Sequence, residues 1–575
     1  MATLKTDYFI PEIPFPEYPR PQEERKEWLN LNGKWQFAKT KKQEKPTSFG
    51  EILVPFSPET ANSGIGNGFT LGEGEMLVYQ RVFSLKKQPN TATLLHFGAV
   101  DSHAEVFVNG KLAGTHDCGY TAFTLDITDF VQEGENQLRV EVTDDFANGA
   151  RGKQSKKAGG IWYTAQSGIW QTVWLETLPF NYIRGLRYTM NAENKTVTVY
   201  AGSNGVKQTI RVFDGERQIA EKIFTSKTEI AYDFEYWSPE NPKLYDVVIT
   251  NADGDEVKSY FGFRFFTVDK DQAGIPRLFL NGKPYFFSGV LDQGYWPDGL
   301  LTPPSDKAMS DELQLLKRMG FNTVRKHIKI EPMRWYYHCD KLGLVVWQDF
   351  VNGGGEYKFT HVAAFPFLGF QHKDSDYRYF SRENEQGRAE FEQMAKDTVS
   401  QLFNCTSIGM WVIFNEGWGQ FDSAYFTEWL KNADPSRVID SVSGWHDQGK
   451  TITTLKSLHT YYTPLRVPKD PRPVVLSEFG GYSFKISGHV FAEDKEFGYK
   501  KFRDREKLNL ALSELFSKKL KPLIKKGLCA SIYTQVSDVE EEINGLVTYD
   551  RKIVKVNANM LNALNQALYK EMDEQ

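Results

Sequence analysis

The chain has 575 residues, too many for one core, and at ~100–200 residues per domain the length predicts three to five domains. Charged residues make up 25% and hydrophobic residues 40%, an ordinary soluble globular balance. The formal net charge of −5 leaves no basic footprint for nucleic acid, and no segment approaches the ~20 apolar residues that span a bilayer.

Residues 1 to about 25 are rich in Pro, Glu and Arg and read as an extended arm. No apolar signal segment opens the chain, so the expected location is cytoplasmic, or else a leader has been removed. Strand-like stretches follow at Gly33–Ala38, Met76–Leu85, Thr91–Phe97, His103–Val108 and Gln137–Thr143. Asn109-Gly110 between two of them is a strong hairpin signal. Many short strands with few helical patterns predict a jelly-roll β-sandwich, here residues 1–182. It closes on Gly168–Glu176, read as one alternating strand. Four further alternating stretches, Thr196–Ala201, Gln208–Phe213, Thr228–Phe234 and Tyr245–Thr250, predict an immunoglobulin-like sandwich over 183–268 without its disulfide. The four cysteines, Cys118, Cys339, Cys405 and Cys529, are scattered and form no C-x-x-C pair. That argues against zinc and redox chemistry and fits a reducing compartment.

From about residue 275 the rhythm becomes strand, helix, strand, helix. Strands are expected at Tyr285–Val290, Asn322–Lys326, Leu344–Gln348, Met410–Phe414, Val438–Ser441, Ser457–Tyr461, Val474–Ser477 and Ala530–Thr534. Helices are expected at Asp306–Met319, Pro332–Leu342 and Glu385–Phe403. Eight strands over about 300 residues predict a (β/α)8 TIM barrel for 269–575. The interval between the fourth and seventh strands leaves little room for full helices. Met410–Phe414 is a continuous apolar run that ends in Asn415-Glu416 and glycines. Pro473–Ser477 is another, ending in Glu478 and glycines. Barrels of this kind keep their chemistry at the C-terminal ends of the strands. Two strand-end glutamates facing one cavity suggest double-carboxylate chemistry, of which glycoside hydrolysis is the commonest kind. The chain is 14% aromatic, which suits packed sheets first and sugar-stacking platforms second.

Seven pieces in order make the chain resemble glycoside hydrolase family 2. They are Leu31–Trp35, Val108-Asn109-Gly110, Ser167–Trp170, Trp237–Pro242, Gly320–Arg325, Asn415-Glu416 and Ser477–Gly480. The resemblance implies a jelly-roll sugar-binding domain, an immunoglobulin-like domain and a catalytic barrel. It implies that Glu416 is the general acid/base and Glu478 the nucleophile of a retaining, double-displacement reaction. Such a pair needs carboxyls ~5–5.5 Å apart, with Glu478 ionised and Glu416 carrying a proton at first. It implies further that Asn415 hydrogen-bonds the sugar hydroxyl beside the anomeric carbon, that Arg325 pairs with the nucleophile, that His327 touches the sugar and that Tyr461 hydrogen-bonds the nucleophile. His459, two residues earlier on the same strand face, is a candidate substrate contact. Asp349 at the end of the third strand is another. Trp445 and Trp418 are candidate stacking walls.

Departures from the family bear on the sugar. Where many members carry an Asn-x-His-Glu-like element, this chain reads Gly289–Asp298, so Asp292, Trp296 and Asp298 are expected to shape the subsite. Tyr533 stands where many members have Trp. The Asn-x-Lys element by which glucuronidases hold a carboxylate is not evident near Asn544-Gly545-Leu546. The expected enzyme is an exo-acting, β-galactosidase-like hydrolase of terminal sugars. The alternatives are an α-L-arabinosidase or β-glucuronidase on the same scaffold, or a carbohydrate-binding protein without activity. No cofactor is expected to be required, with a structural Mg²⁺ or Na⁺ ion admitted; the partner expected is a carbohydrate substrate, with neither nucleic acid nor membrane, and a homo-oligomer is admitted. His327, His338, His446 and His459 form no i, i+4 pair on a helix, which argues against metal catalysis. Finally, the loop from Asp145 to Tyr163, with Arg151, Lys153, Lys156, Lys157 and Trp162, is expected to reach from the jelly roll to the barrel mouth and wall the pocket. Its lysines are read as solvated.

Overall fold

The computed structural model describes residues 4–66, 68–144 and 149–574; Asp145, where the long loop was expected to begin, lies with residues 146–148 outside them. The first domain packs a six-stranded antiparallel sheet on a four-stranded one. In His103–Val108 every second residue is buried. Asn109 and Gly110, at φ 50° and 79°, turn the chain into Lys111–Asp117 as an Asn-Gly hairpin should. Val106, Val108, Leu138, Val140 and Trp35 are among the residues of the core between the sheets. The expected strand Gly168–Glu176 is two strands, Gly168–Ile169 and Val173–Pro179. Tertiary contacts break it. The Trp170 indole donates to Gly119 O at 2.6 Å, Thr302 Oγ1 of the barrel donates to Trp170 O at 2.8 Å, and Gln171 Nε2 reaches Ile330 O at 3.3 Å.

The second domain is a sandwich of a three-stranded and a four-stranded sheet between Arg184 and Phe261. Its Trp237 turn docks on the barrel. The buried indole donates to Asp340 O at 2.8 Å.

The third domain is a nearly closed (β/α)8 barrel. Its parallel strands are β1 (Phe287–Asp292), β2 (Thr323–Lys326), β3 (Val345–Asp349), β4 (Ile408–Asn415), β5 (Val438–Ser443), β6 (Lys456–Thr460), β7 (Val474–Gly480) and β8 (Leu528–Thr534). Strand β4 is buried throughout, as a strand between a packed lumen and a helical layer must be. Helices α1 (Asp306–Arg318), α2 (Met333–Leu342), α3 (Glu385–Leu402) and α4 (Ser423–Ala433) cover the β1–β5 side. Ser305 and Asn384 cap α1 and α3, accepting from Ala308 N at 3.2 Å and Gly387 N at 2.7 Å. Phe266, Leu278 and Leu280 of a short antiparallel sheet pack with Trp347 and Met410 in the floor of the lumen.

Among the described residues the ladder has one gap, between β5 and β6. Neither the 444–455 link nor the 461–473 link contains a helix, which accounts for the short sequence interval there. Side chains bridge the gap. Ser457 Oγ donates to Asp440 Oδ2 at 2.8 Å and lies 2.6 Å from Ser477 Oγ, and Ser443 Oγ reaches Ser477 Oγ at 2.9 Å.

Candidate active site

Glu416 stands one residue past β4 with φ 50°, a left-handed conformation that a non-glycine residue adopts at a cost and that recurs at functional sites. Its amide donates to Ser443 O of β5 at 2.9 Å, which anchors the turn. Glu478 lies within β7, where the pairing registers slip between Leu458 and His459 and between Leu476 and Phe479. Such an irregularity re-aims side chains. Here it lets Ser477 and Glu478 both face inward. A carboxylate oxygen of Glu416 and one of Glu478 lie within 4.8 Å of one another, with a ring nitrogen of His459 within the same distance of each. These three form the group among the described residues with ligand-type atoms near enough for one ion, but Arg325 on Glu478 already supplies a fixed positive charge there.

Each glutamate is gripped from across the barrel. His459 Nδ1 hydrogen-bonds Glu416 Oε1 at 2.6 Å, and its Nε2 lies 3.0 Å from Ser443 Oγ. Gly444 leaves room for that ring, since a Cβ there would meet His459 Nδ1 at 2.8 Å. Glu478 Oε1 accepts from Arg325 Nη1 at 3.2 Å, and the Tyr461 hydroxyl donates to Oε2. Burial by itself raises the Glu478 carboxyl. The positive charge of His459 and Arg325 and the Tyr461 hydrogen bond outweigh it and hold the group below its ordinary value.

Arg325 is the hub. It gives Nε and Nη2 to Asp349 at 3.0 and 2.9 Å and Nη2 to Asn415 Oδ1 at 2.8 Å. Asp349 Oδ2 also lies 2.8 Å from His327 Nδ1. Asp349 thus orients an arginine and a histidine, and burial pushes its own carboxyl up to about 6. His327, wholly buried, is held well below its ordinary value by that burial, so its imidazole is neutral. The Asn415 amide nitrogen is buried and has no partner among the described residues, leaving a donor for a ligand. Trp445, partly exposed, has its ring 5.6 Å from that of His459 and borders the mouth.

Four expected site residues lie elsewhere, one of them Asp298, whose Oδ2 accepts from Thr6 N at 3.0 Å and Thr6 Oγ1 at 2.7 Å in the N-terminal arm. Leu291 faces the lumen, so its neighbour Asp292 faces outward, where it accepts from Lys326 Nζ at 2.5 Å beside Glu331. Trp296 lies under Arg551, whose guanidinium is 4.2 Å from the ring centre, and meets Tyr8 of the N-terminal arm edge-on. Tyr533 points into the helical layer against Phe479 and Phe516. The next residue, Thr534, faces the site and meets the Tyr461 hydroxyl at 3.0 Å. A one-residue change of parity moves a strand side chain to the other face, and nothing in the sequence of β1 or β8 fixes which residue ends inside.

The sandwich loop does reach the barrel mouth. Arg151 N donates to Asn352 O at 3.1 Å, Gly160 N to Glu541 Oε2 at 3.1 Å and Thr164 N to Glu540 Oε1 at 2.9 Å. The Trp162 ring centre lies 5.0 Å from that of Trp418. Lys156 and Lys157 are exposed, but Lys153 is 5% exposed. The solvated reading fails for it, because Gly152 and the packing of Trp162 carry it under the loop. Ser443, Tyr499 and Glu542 were also missed. Tyr499 stacks on Tyr461 at 3.7 Å between ring centres. No motif marks these residues.

A (β/α)8 barrel holding two cross-braced carboxylates at its mouth, preceded by two β-sandwiches of which one walls that mouth, defines a multidomain carbohydrate-active hydrolase. The chain matches the family descriptions "Glycosyl hydrolases family 2, sugar binding domain" over residues 64–179, "Glycosyl hydrolases family 2" over 184–264 and "Glycosyl hydrolases family 2, TIM barrel domain" over 275–487. The chain belongs to glycoside hydrolase family 2. It is 27% identical to a Formosa agariphila protein named as a candidate beta-glucuronidase, over 56% of this chain and 37% of that one. It is 26% identical to a beta-galactosidase of Thermoanaerobacter pseudethanolicus, over 70% of this chain and 55% of that one. The chain thus spans from about a third to about half the length of these relatives. The fold is similar to the solved beta-D-glucuronidase of Dictyoglomus thermophilum, with a TM-score of 0.75 at 18% identity, covering 96% of this chain and 98% of that one. A beta-galacturonidase of Eisenbergiella tayi superposes with a TM-score of 0.70 at 18% identity, over 96% of this chain and 99% of that one.

Proposed function

We propose that the protein is a retaining exo-β-glycosidase in which Glu478 is the nucleophile and Glu416 the general acid/base. The approach of their carboxylate oxygens to within 4.8 Å carries the reading. It falls on the side of the ~5–5.5 Å spacing of retaining enzymes rather than the ~6.5–9.5 Å at which inverting enzymes place a water between their carboxyls. In the first step Glu478 attacks the anomeric carbon, the bond to the leaving oxygen breaks, and Glu416 gives that oxygen its proton. In the second, Glu416 takes a proton from water, the water oxygen bonds to the anomeric carbon, and Glu478 leaves as a carboxylate. The ionised state that attack requires fits the positive charge and hydrogen bonds around Glu478. The unspent Asn415 amide suits the hydroxyl beside the anomeric carbon. Trp162 and the sandwich loop across the mouth favour release of terminal sugars over passage of long chains.

For the sugar, the curated relatives divide by name between β-glucuronidase and β-galactosidase, and the solved ones cited above are named for sugar acids. These names support a terminal uronic acid better than the galactose expected from sequence. Kinetics on activated aryl glycosides test the roles. Glu478→Gln is expected to form no glycosyl-enzyme with any leaving group. Glu416→Ala is expected to lose ~10²–10⁴-fold on poor leaving groups, and azide is expected to restore turnover of good ones. Failure of azide rescue, or a covalent intermediate in Glu478→Gln, would refute the assignment.

A further inference from the structure

The sandwich loop carries a buried cation into the mouth of the barrel. The Lys153 ammonium lies 4.5 Å from the ring centre of Trp418, 5.2 Å from that of Trp162 and 5.7 Å from that of Tyr163. Aromatic faces compensate part of the cost of removing a charge from water, but they fill none of the hydrogen-bonding capacity of an ammonium. The buried lysines of the barrel are treated differently. Lys326 and Lys329 each reach Glu331 Oε1 at 2.7 Å, and Lys555 reaches Asp538 Oδ1 at 2.7 Å. Among the described residues the Lys153 ammonium makes neither a hydrogen bond nor an ion pair.

The carboxylates around it are engaged elsewhere. Glu478 is held by Arg325 and Tyr461, Glu416 by His459, and Glu542 by Tyr163 and Asn544. All three are near enough to act on Lys153 through their charge and too far to pair with it. Burial pushes the Glu542 carboxyl up, which weakens it as a competing anion. A buried cation with unspent donors, in electrostatic reach of the two glutamates that grip the anomeric centre, is completed by a charge brought in by the ligand.

We propose that Lys153 is the specificity-determining contact for an anionic sugar, its ammonium pairing with the carboxylate of a terminal uronic acid. The barrel then supplies the bond-breaking groups and the first sandwich supplies recognition of the acid. This rests on the glycosidase reading of Glu416 and Glu478. It adds a contact from another domain, in place of a barrel lysine.

The test compares the full-length enzyme with its Lys153→Met and Lys153→Arg variants on 4-nitrophenyl β-D-glucuronide, β-D-galacturonide, β-D-glucoside and β-D-galactoside, and on the uronamide of the best uronide. Wild type is expected to prefer a uronide to its own amide. Lys153→Met is expected to lose on the order of 100-fold in kcat/KM on the uronides, mostly through KM, with only a few-fold change on neutral sugars. Lys153→Arg is expected to recover part of the loss. An equal loss on neutral and acidic sugars would assign Lys153 a merely structural role and overturn the proposal. So would wild type that treats uronide and uronamide alike, a comparison that needs no variant to fold. Wild type that cleaves only neutral glycosides overturns the Lys153 contact and leaves the glycosidase standing. Hydrolysis of none of these substrates overturns the glycosidase reading itself.

Discussion

The two walls of the barrel mouth are built by different means. Strands β2, β3 and β4 are joined by parallel pairing and backed by α1 to α3. There the backbone fixes the side-chain origins, and a dense charge network around Arg325 fixes their ends. The β5–β6 edge lacks that pairing, and its links lack helices. A relay of Ser443, Ser457, Ser477 and Asp440 holds it instead. Glu416 grows from the laddered wall and is gripped by His459 of the hydroxyl-bridged wall. Glu478 grows from the hydroxyl-bridged side and is gripped by Arg325 of the laddered one. Neither wall alone sets the spacing of the pair. The spacing is a property of the cross-bracing, and it is only as firm as the weaker wall.

The laddered wall is broken most severely at Arg325. Arg325→Met leaves Asp349 buried with only His327 beside it and strips Glu478 of the guanidinium that pairs with it. Removing one member of a buried pair costs about 3–5 kcal/mol, so a large fall in Tm is expected by calorimetry, with kcat/KM down on the order of 10³-fold. The pH profile sharpens the point. Glu478 is held low in the native site, so its ionised form persists to acid pH. Without Arg325 its carboxyl rises, and the acid limb of kcat/KM is expected to move to higher pH. A limb that stays or moves down would refute the cross-bracing.

The other wall should yield more gently. Ser457→Val removes the hydrogen bonds to Asp440 and Ser477 and leaves Asp440 Oδ2 without its donor, at about 1–3 kcal/mol. Because His459 rides on the same strand, kcat is expected to fall ~10-fold while KM changes little. An unaltered kcat with a lowered Tm would mean that the relay stabilises the barrel without positioning His459. Asp292→Asn is expected to destabilise the buried Lys326–Glu331 cluster by ~1–3 kcal/mol with kcat/KM almost unchanged, because the cluster lies outside the lumen. The smallest effect is expected for Tyr533→Phe. It loses one hydrogen bond, that from Tyr482 N at 3.1 Å, about 1 kcal/mol, and kcat/KM within ~2-fold of wild type would check its outward placement.

The sequence by itself determined the layout and the two glutamates. Alternating strands, the Asn109-Gly110 turn and the switch to strand–helix periodicity are local properties, written in neighbouring residues. Runs buried on both faces and ending in Glu and Gly are equally local, so β4 and β7 and their terminal carboxylates could be read directly. Only the tertiary structure decided which strand-end residues face inward. It separated Thr534 from Tyr533 and set Asp292 outside the lumen, because parity at a strand end depends on pairing registers and bulges made with distant strands. It also decided that Lys153 is buried, since the aromatic rings that cover it come from Trp162 in its own loop and Trp418 far away in the barrel. Burial of a charge depends on what packs over it, and that is set by contacts distant in sequence.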